Sequence, residues 1–271
     1  MIIGPNISPL PFYVSIQLQN HRKDYAFGQI YPLIAHTKRL IPFQFILDSA
    51  QESLEYIQLV SLATGNKTDI LQDLKENGLS EEHYSDKDIS VISFSGMLYL
   101  DTPIAPGRYY LEVGTNLFGV IKQSYYSEVF TVCENTDNYL ELEYSNSHDF
   151  TDENGAAQYI GGFTFRCYLD TQIGKPEYVF EEEATERMGY TFIESQISKK
   201  IYKFTFLAPE YLCDALRIVR LCDTKKILSQ GQAYDLTTFS MEPRWEEQGD
   251  LAAVECEFET NTIIANIGGY K

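Results

Sequence analysis

The chain has 271 residues, a formal net charge of −18, 44% hydrophobic and 22% charged residues, so it is globular, long enough for two ordinary domains, and neither disordered nor collagen-like. So acidic a chain repels a phosphate backbone unless a basic patch overrides it, and the most basic segment, His21-Arg22-Lys23, is followed at once by Asp24; nucleic-acid binding is therefore excluded from the expectations. No apolar run approaches the roughly 20 residues a membrane helix needs, and Met1-Ile2-Ile3-Gly4-Pro5-Asn6 lacks the charged and apolar regions of a signal peptide. Cys133, Cys167, Cys213, Cys222 and Cys256 are odd in number and widely spaced with no CxxC, which argues against a disulfide framework and a zinc site. These features predict a protein that neither crosses a membrane nor is exported by a standard route and that assembles in a reducing cytoplasm. With 20 Tyr and 16 Phe, the aromatic content points to sheet, because such side chains fit pleated, half-buried surfaces.

In chain order, the first helical pattern covers 69–77, with Thr68 as N-cap, Ile70, Leu71 and Leu74 as the apolar stripe, and Gly78 as the stop. Pro106-Gly107 supplies a turn, after which Tyr109, Leu111 and Val113 alternate inward, with a return strand carrying Val129, Phe130 and Val132. Cys133-Glu134-Asn135-Thr136-Asp137-Asn138 is a polar break between strand patterns and marks the predicted domain boundary. Beyond it, Leu140, Leu142 and Tyr144 alternate with Glu141 and Glu143; Phe163, Phe165, Cys167 and Leu169 alternate with Thr164, Arg166 and Tyr168. Tyr202, Phe204 and Phe206 alternate with Lys203 and Thr205, and Val254, Cys256 and Phe258 with Glu255, Glu257 and Glu259. Each pattern predicts a strand with one buried and one solvated face, hence antiparallel sheet. A second helix starts at Pro209, with Leu212 and Leu216 one above the other. The expected fold is all-β and mainly antiparallel: an immunoglobulin-like sandwich over 1–134, and a second β-sandwich-like domain over 135–271 with one short helix near 209–217.

Motifs for chemistry are sparse. His21, His36, His83 and His148 have no ligand spacing, and no HExxH, GxSxG, Walker or GxGxxG motif occurs, so neither a catalytic residue, a metal site nor a cofactor is assigned. Glu181-Glu182-Glu183 with Glu186 reads as a solvated face, or a loop meeting Lys199, Lys200 or Lys203, because adjacent glutamates do not straddle a cleft as glycoside hydrolysis requires. Asp149-Phe150-Thr151-Asp152-Glu153-Asn154-Gly155 is oxygen-rich but lacks the EF-hand ligand pattern, and reads as a turn with Asn154-Gly155 at its tip. Tyr110 and Tyr126 are candidates either for stacking on a sugar or for a cross-strand pair.

The most distinctive segments lie within 174–262: Gly174-Lys175-Pro176-Glu177-Tyr178, Glu181-Glu182-Glu183, Leu207-Ala208-Pro209-Glu210-Tyr211-Leu212-Cys213-Asp214-Ala215, and Trp245-Glu246-Glu247-Gln248-Gly249-Asp250-Leu251-Ala252. Together with Ile41-Pro42-Phe43-Gln44 and Tyr125-Tyr126-Ser127-Glu128-Val129-Phe130, this run resembles a family of proteins encoded in the structural-gene regions of phages and prophages of Bacteroidetes. The resemblance implies a non-enzymatic virion component of tail, ring or baseplate type, assembled in the bacterial host cytoplasm through contacts with itself and with other virion proteins. Trp245, Tyr178, Glu181, Glu182 and Tyr211 are the interface candidates; the segments 174–183 and 245–250 are expected on connections, where recognition usually lies. The alternative is a glycan-binding module that contacts a host surface polysaccharide through Tyr110 and Tyr126.

Overall fold

The computed structural model describes residues 8–19, 32–84, 88–96, 100–151, 157–159, 162, 164–245 and 251–266. The first half supplies β1 (Phe12–Tyr13), β2 (Ile34–His36), β3 (Phe43–Asp48), β4 (Glu52–Ser61), β5 (Lys67–Asp69), helix α1 (Leu71–Glu76), β6 (Leu79–Tyr84), β7 (Ile89–Phe94), β8 (Gly107–Leu117), β9 (Ile121–Ser127) and β10 (Phe130–Cys133). The second half supplies β11 (Leu140–Ser145), β12 (Phe150–Thr151), β13 (Ala157–Tyr159), β14 (Thr164–Leu169), β15 (Glu177–Arg187), β16 (Tyr190–Pro209), helix α2 (Glu210–Arg217), β17 (Thr224–Ser229), β18 (Gln232–Asp235), β19 (Thr238–Trp245) and β20 (Leu251–Asn266). The protein is all-β with mainly antiparallel sheets and, among the described residues, two α-helices.

One long sheet organises the chain. β8 pairs along one side with β4, which carries β5, and along the other with β9 and then β10. Tyr126 lies opposite Glu112 and Phe130 opposite Tyr109, so the register slips by one residue at Glu128-Val129. Buried Glu128 fills this bulge, accepting from the Val129 N–H at 2.9 Å and the Tyr13 hydroxyl at 3.3 Å. β10 then pairs in parallel with β2, and β2 meets β14 through Tyr168 opposite Ile34. β14, β11, β17 and β18 complete the sheet in that order.

Two smaller sheets stack on it, β3-β7-β6 in the first half and β15-β16-β20-β19 in the second. Phe12 meets Phe43 edge-on at 5.7 Å in one layer; in the other, Tyr144 stacks on Phe165 at 5.8 Å and Tyr202 on Phe258 at 5.2 Å. Such offset and edge-on pairs are the favoured aromatic geometries. Residues of both layers belong to one contiguous apolar cluster, which also includes Leu33, just before β2, and Ala35 of β2. The predicted boundary at 133–138 is a turn between β10 and β11 in which the Tyr139 N–H reaches the Thr136 carbonyl at 3.0 Å. The chain on either side of that turn shares the sheet, through β2, and the core.

Local details correct three expectations. Thr68 lies in β5; the first turn of α1 is capped by Asp69, whose Oδ1 accepts from the Leu71 N–H at 3.0 Å, and Gly78 follows it at φ +103°. Pro209 ends β16 and stands at the N-cap of α2, with Leu212 and Leu216 both buried. The largest change is in β14, whose second face is not solvated. Arg166 and Tyr168 are buried like Phe165, Cys167 and Leu169, because the polar side chains of β11 and β14 cover one another (Phe163 lies outside the described residues).

Candidate functional site

β15 and the first part of β16 form a hairpin arm, with the end of β20 paired along its base as far as Ser195 opposite Asn266. Met188 at φ +54° and Gly189 at φ +78° make a two-residue turn, the backbone twist that suits a tight hairpin. β15 is 11 residues long, about 35 Å at the usual rise of a strand. At its base the segment 171–176 is tied to β16: Thr171 Oγ1 donates to the Thr205 carbonyl at 2.7 Å, and the Gly174 N–H to the Lys203 carbonyl at 3.0 Å. A Cβ at Gly174 would lie 3.1 Å from that carbonyl, so glycine permits the close approach.

The sequence explains why this hairpin leaves the body. On β16 the buried aromatic row Phe206, Phe204, Tyr202 gives way to Lys200, Ser198 and Gln196 on the same face. Lys200 Nζ sits 5.2 Å over the Tyr202 ring and caps the core there. On β15 the same face carries Tyr178, Phe180 and then Glu182, and the opposite face Glu177, Val179, Glu181 and Glu183. Neither face offers an apolar run long enough to hold a covering layer. Accordingly, none of the described residues in 177–200 is buried. Among the described residues, five of the fourteen exposed large hydrophobics lie on this arm, namely Tyr178, Val179, Phe180, Met188 and Tyr190, and Ile263 and Ile264 lie beside it on β20, a concentration beyond ordinary scatter.

Cross-strand polar contacts hold the arm in register. Lys199 Nζ meets Glu181 Oε1 at 2.6 Å, Gln196 Nε2 donates to Glu182 Oε1 at 2.8 Å, Ser195 Oγ to Glu183 Oε2 at 3.1 Å, and Lys203 Nζ to Glu177 Oε2 at 2.9 Å. The acidic run thus meets Lys199, as the sequence suggested, but from a strand and not from a loop. Such solvent-exposed pairs set the register more than they stabilise the fold.

The five interface candidates do not form one patch. Tyr178, Glu181 and Glu182 are exposed on the arm. Trp245, half-exposed, ends the opposite edge strand β19 beside Ala252, which pairs with Ala208; Tyr178 pairs with Lys200. Eight residues along β16 and the width of the sheet therefore part the two aromatics by roughly 30 Å. Tyr211 is buried in the core with Leu212 and Leu216 on α2, because it follows Pro209 into the first helical turn and faces the sheet. It cannot be a surface contact. Glu246 to Asp250 lie outside the described residues.

Tyr110 and Tyr126 are a diagonal pair on β8 and β9, with ring centroids 6.4 Å apart and tilted by 59°. Tyr110 is buried and Tyr126 half-buried, packed with Val60, Val129 and Leu62, so this pair is sheet filler and no exposed stacking platform. His36 accepts from the Lys38 N–H through Nδ1 at 3.1 Å and borders a polar hollow with Glu134, Asn135, Thr136 and Asp137. His83 contacts Ser90 and His148 is exposed, while His21 lies outside the described residues, as do positions 152–156 of the oxygen-rich turn. Among the described residues no group of His, Cys, Asp and Glu is arranged to hold a metal ion, and no helix is long and apolar enough to cross a membrane.

One polar cluster escaped the sequence reading. On the face of β11 away from the core, Glu141 Oε1 lies 2.6 Å from Arg166 Nε, and Glu143 also pairs with Arg166, all three largely covered. Arg166 Nη1 is buried with no hydrogen-bond partner among the described residues. Burial raises the Glu141 carboxyl, Glu143 raises it further, and Arg39 and Tyr168 pull it back only in part, to about 7. Burial disfavours the charged carboxylate and Glu143 adds like-charge repulsion that the nearby guanidinium groups do not offset, so a proton on Glu141 relieves the site. Cys167, Cys213, Cys222 and Cys256 are free, buried thiols that burial pushes upward, hence poor nucleophiles near neutrality. Comparison with protein-family models, with curated proteins and with solved structures finds no match for this chain.

Proposed function

We propose that the chain is a non-enzymatic structural component of a phage or prophage particle, at the level of tail, ring or baseplate, and that the arm is its principal contact element. The particle is suggested by the sequence resemblance. The contact element is suggested by one observation: residues 177–200 extend from the body without a single buried side chain among those described, yet carry exposed Tyr178, Phe180 and Tyr190. Only its outer part, 184–194, is a two-stranded ribbon, because β20 pairs with β16 as far as Ser195; such a ribbon is marginal alone in water, and apolar surface of this kind marks an interaction site. Docked on a neighbour, the aromatics become buried anchors within a rim of glutamates, the usual anatomy of an interface. The glycan-binding alternative loses the platform it relied on, because Tyr110 is buried.

Electron microscopy of the purified protein at high concentration, alone and mixed with the products of neighbouring structural genes, tests this reading. Rings or discrete co-assemblies that incorporate the chain are expected. A protein that stays monomeric under all these conditions, or that depolymerises a polysaccharide, contradicts it.

A further inference from the structure

We infer that the open edge of β15 takes up an extended, basic strand from a different protein, in preference to a second copy of this chain. The inference rests on the reading of the arm as a contact element and names what that element contacts. Among the described residues β15 is paired only with β16, so every second residue directs its N–H and C=O groups outward along an 11-residue edge. Pro176 stands before the strand and no proline interrupts it, so a further strand can add along its length. In strand addition the main chain supplies affinity and alternate side chains supply specificity.

Charge selects the occupant. Glu177, Glu181, Glu182, Glu183 and Glu186 against Arg187 give the strand a net charge of −4. Two copies pairing antiparallel about the strand's centre would set Glu182 against Glu182 and Glu181 against Glu183, and like charges directly opposite are destabilising. The chain as a whole, at −18, adds long-range repulsion between copies. A segment that alternates Lys or Arg with apolar residues fits instead. Its basic residues meet the face of Glu181 and Glu183, where Lys199 and Lys203 of β16 balance only Glu181 and Glu177, and its apolar residues meet Tyr178 and Phe180, 61% and 72% exposed, on the face they share with Glu182.

The test uses the full chain and a capped nine-residue peptide of alternating Lys and Val. The controls are a Glu–Val peptide and a peptide with the same Lys and Val grouped in blocks. Binding is followed by fluorescence anisotropy at low and moderate salt, and the site by hydrogen exchange. The expected result is saturable binding of the Lys–Val peptide alone, weakening with salt, with new amide protection confined to 177–187. Glu181→Lys with Glu183→Lys should weaken binding by about tenfold or more, and Phe180→Ser several-fold, with the far-ultraviolet circular dichroism unchanged. If the double variant misfolds, the peptide controls and the exchange map still decide. Equal binding of either control, protection elsewhere, or peptide-free self-association that Phe180→Ser abolishes overturns the inference. Loss of assembly on trimming the arm, with no selective peptide binding, leaves the arm as a contact element and removes only its assigned partner; assembly unaffected by trimming removes both.

Discussion

Truncating Phe180 and Phe258 to alanine should separate the arm from the folding core. The two residues share a sheet and a side-chain type, so the comparison isolates burial. Phe258 is fully buried, stacked against Tyr202 at 5.2 Å with Phe204 and Tyr234 alongside. Phe258→Ala removes a buried ring and leaves a cavity, at a cost of about 3–5 kcal/mol. Phe180 is 72% exposed, so little more than a quarter of it is covered. That is roughly 50 Å² of apolar area, worth about 1 kcal/mol at most. With a urea m-value of about 3 kcal/mol per molar for a chain this long, the midpoint should fall by more than about 1 M for Phe258→Ala and by no more than about 0.3 M for Phe180→Ala. The assay is equilibrium unfolding followed by circular dichroism, with m checked for constancy. A Phe180→Ala loss above about 2 kcal/mol would mean that the arm is covered by something in the folded chain, and the contact reading would fail.

Three further outcomes follow from the same structure. Glu141 holds its proton up to about pH 7 in the folded state and releases it near 4.5 when unfolded, so the native state binds more protons between those values and stability falls as pH rises through that window. Glu141→Gln, which keeps a neutral group there, should therefore become more stable relative to the parent above pH 7, by on the order of 2 kcal/mol, and the two should converge toward pH 5 in urea titrations at each pH; a gap that does not change with pH refutes the assignment. Tyr211→Ala should cost several kcal/mol in unfolding experiments, as a core truncation does, whereas Trp245→Ala should cost less and act on assembly; the reverse order would show that the two environments have been confused. Limited proteolysis that nicks 134–138 should leave fragments that co-elute without denaturant, because β2 pairs with β10 on one side and β14 on the other; separate, folded fragments would show that the halves are independent.

The strand patterns were legible wherever one face is buried. Leu140, Leu142 and Tyr144, or Val254, Cys256 and Phe258, announce themselves by alternation, and the structure buries all six. Alternation could not show what lies over the second face of β14. Arg166 and Tyr168 read as solvated because polarity and exposure coincide in most strands, yet here Glu141 and Glu143 cover Arg166 from the neighbouring strand. The arm was illegible for the opposite reason. With neither face buried, 177–187 has no consistent alternation, and its acidic centre resembles a loop. The turn at Met188-Gly189 lacks the Asn-Gly or Asp-Gly signal of a tight hairpin, although the Gly, and the aromatic alternation at Tyr178 and Phe180, were available clues. The helix that contains Tyr211 is legible from Pro209 and the Leu212–Leu216 spacing, but the spacing alone does not tell that Tyr211 turns onto the sheet with them.

We propose that the chain acts by contact through its arm. It is tested most directly by replacing residues 178–200 with a two-residue Asn-Gly turn, which keeps the Glu177–Ile201 pair, and measuring the sedimentation of parent and trimmed protein alone and mixed with the proteins encoded beside its gene. The account predicts that both proteins fold and that only the parent forms a larger species. A trimmed protein that assembles as the parent does would contradict it.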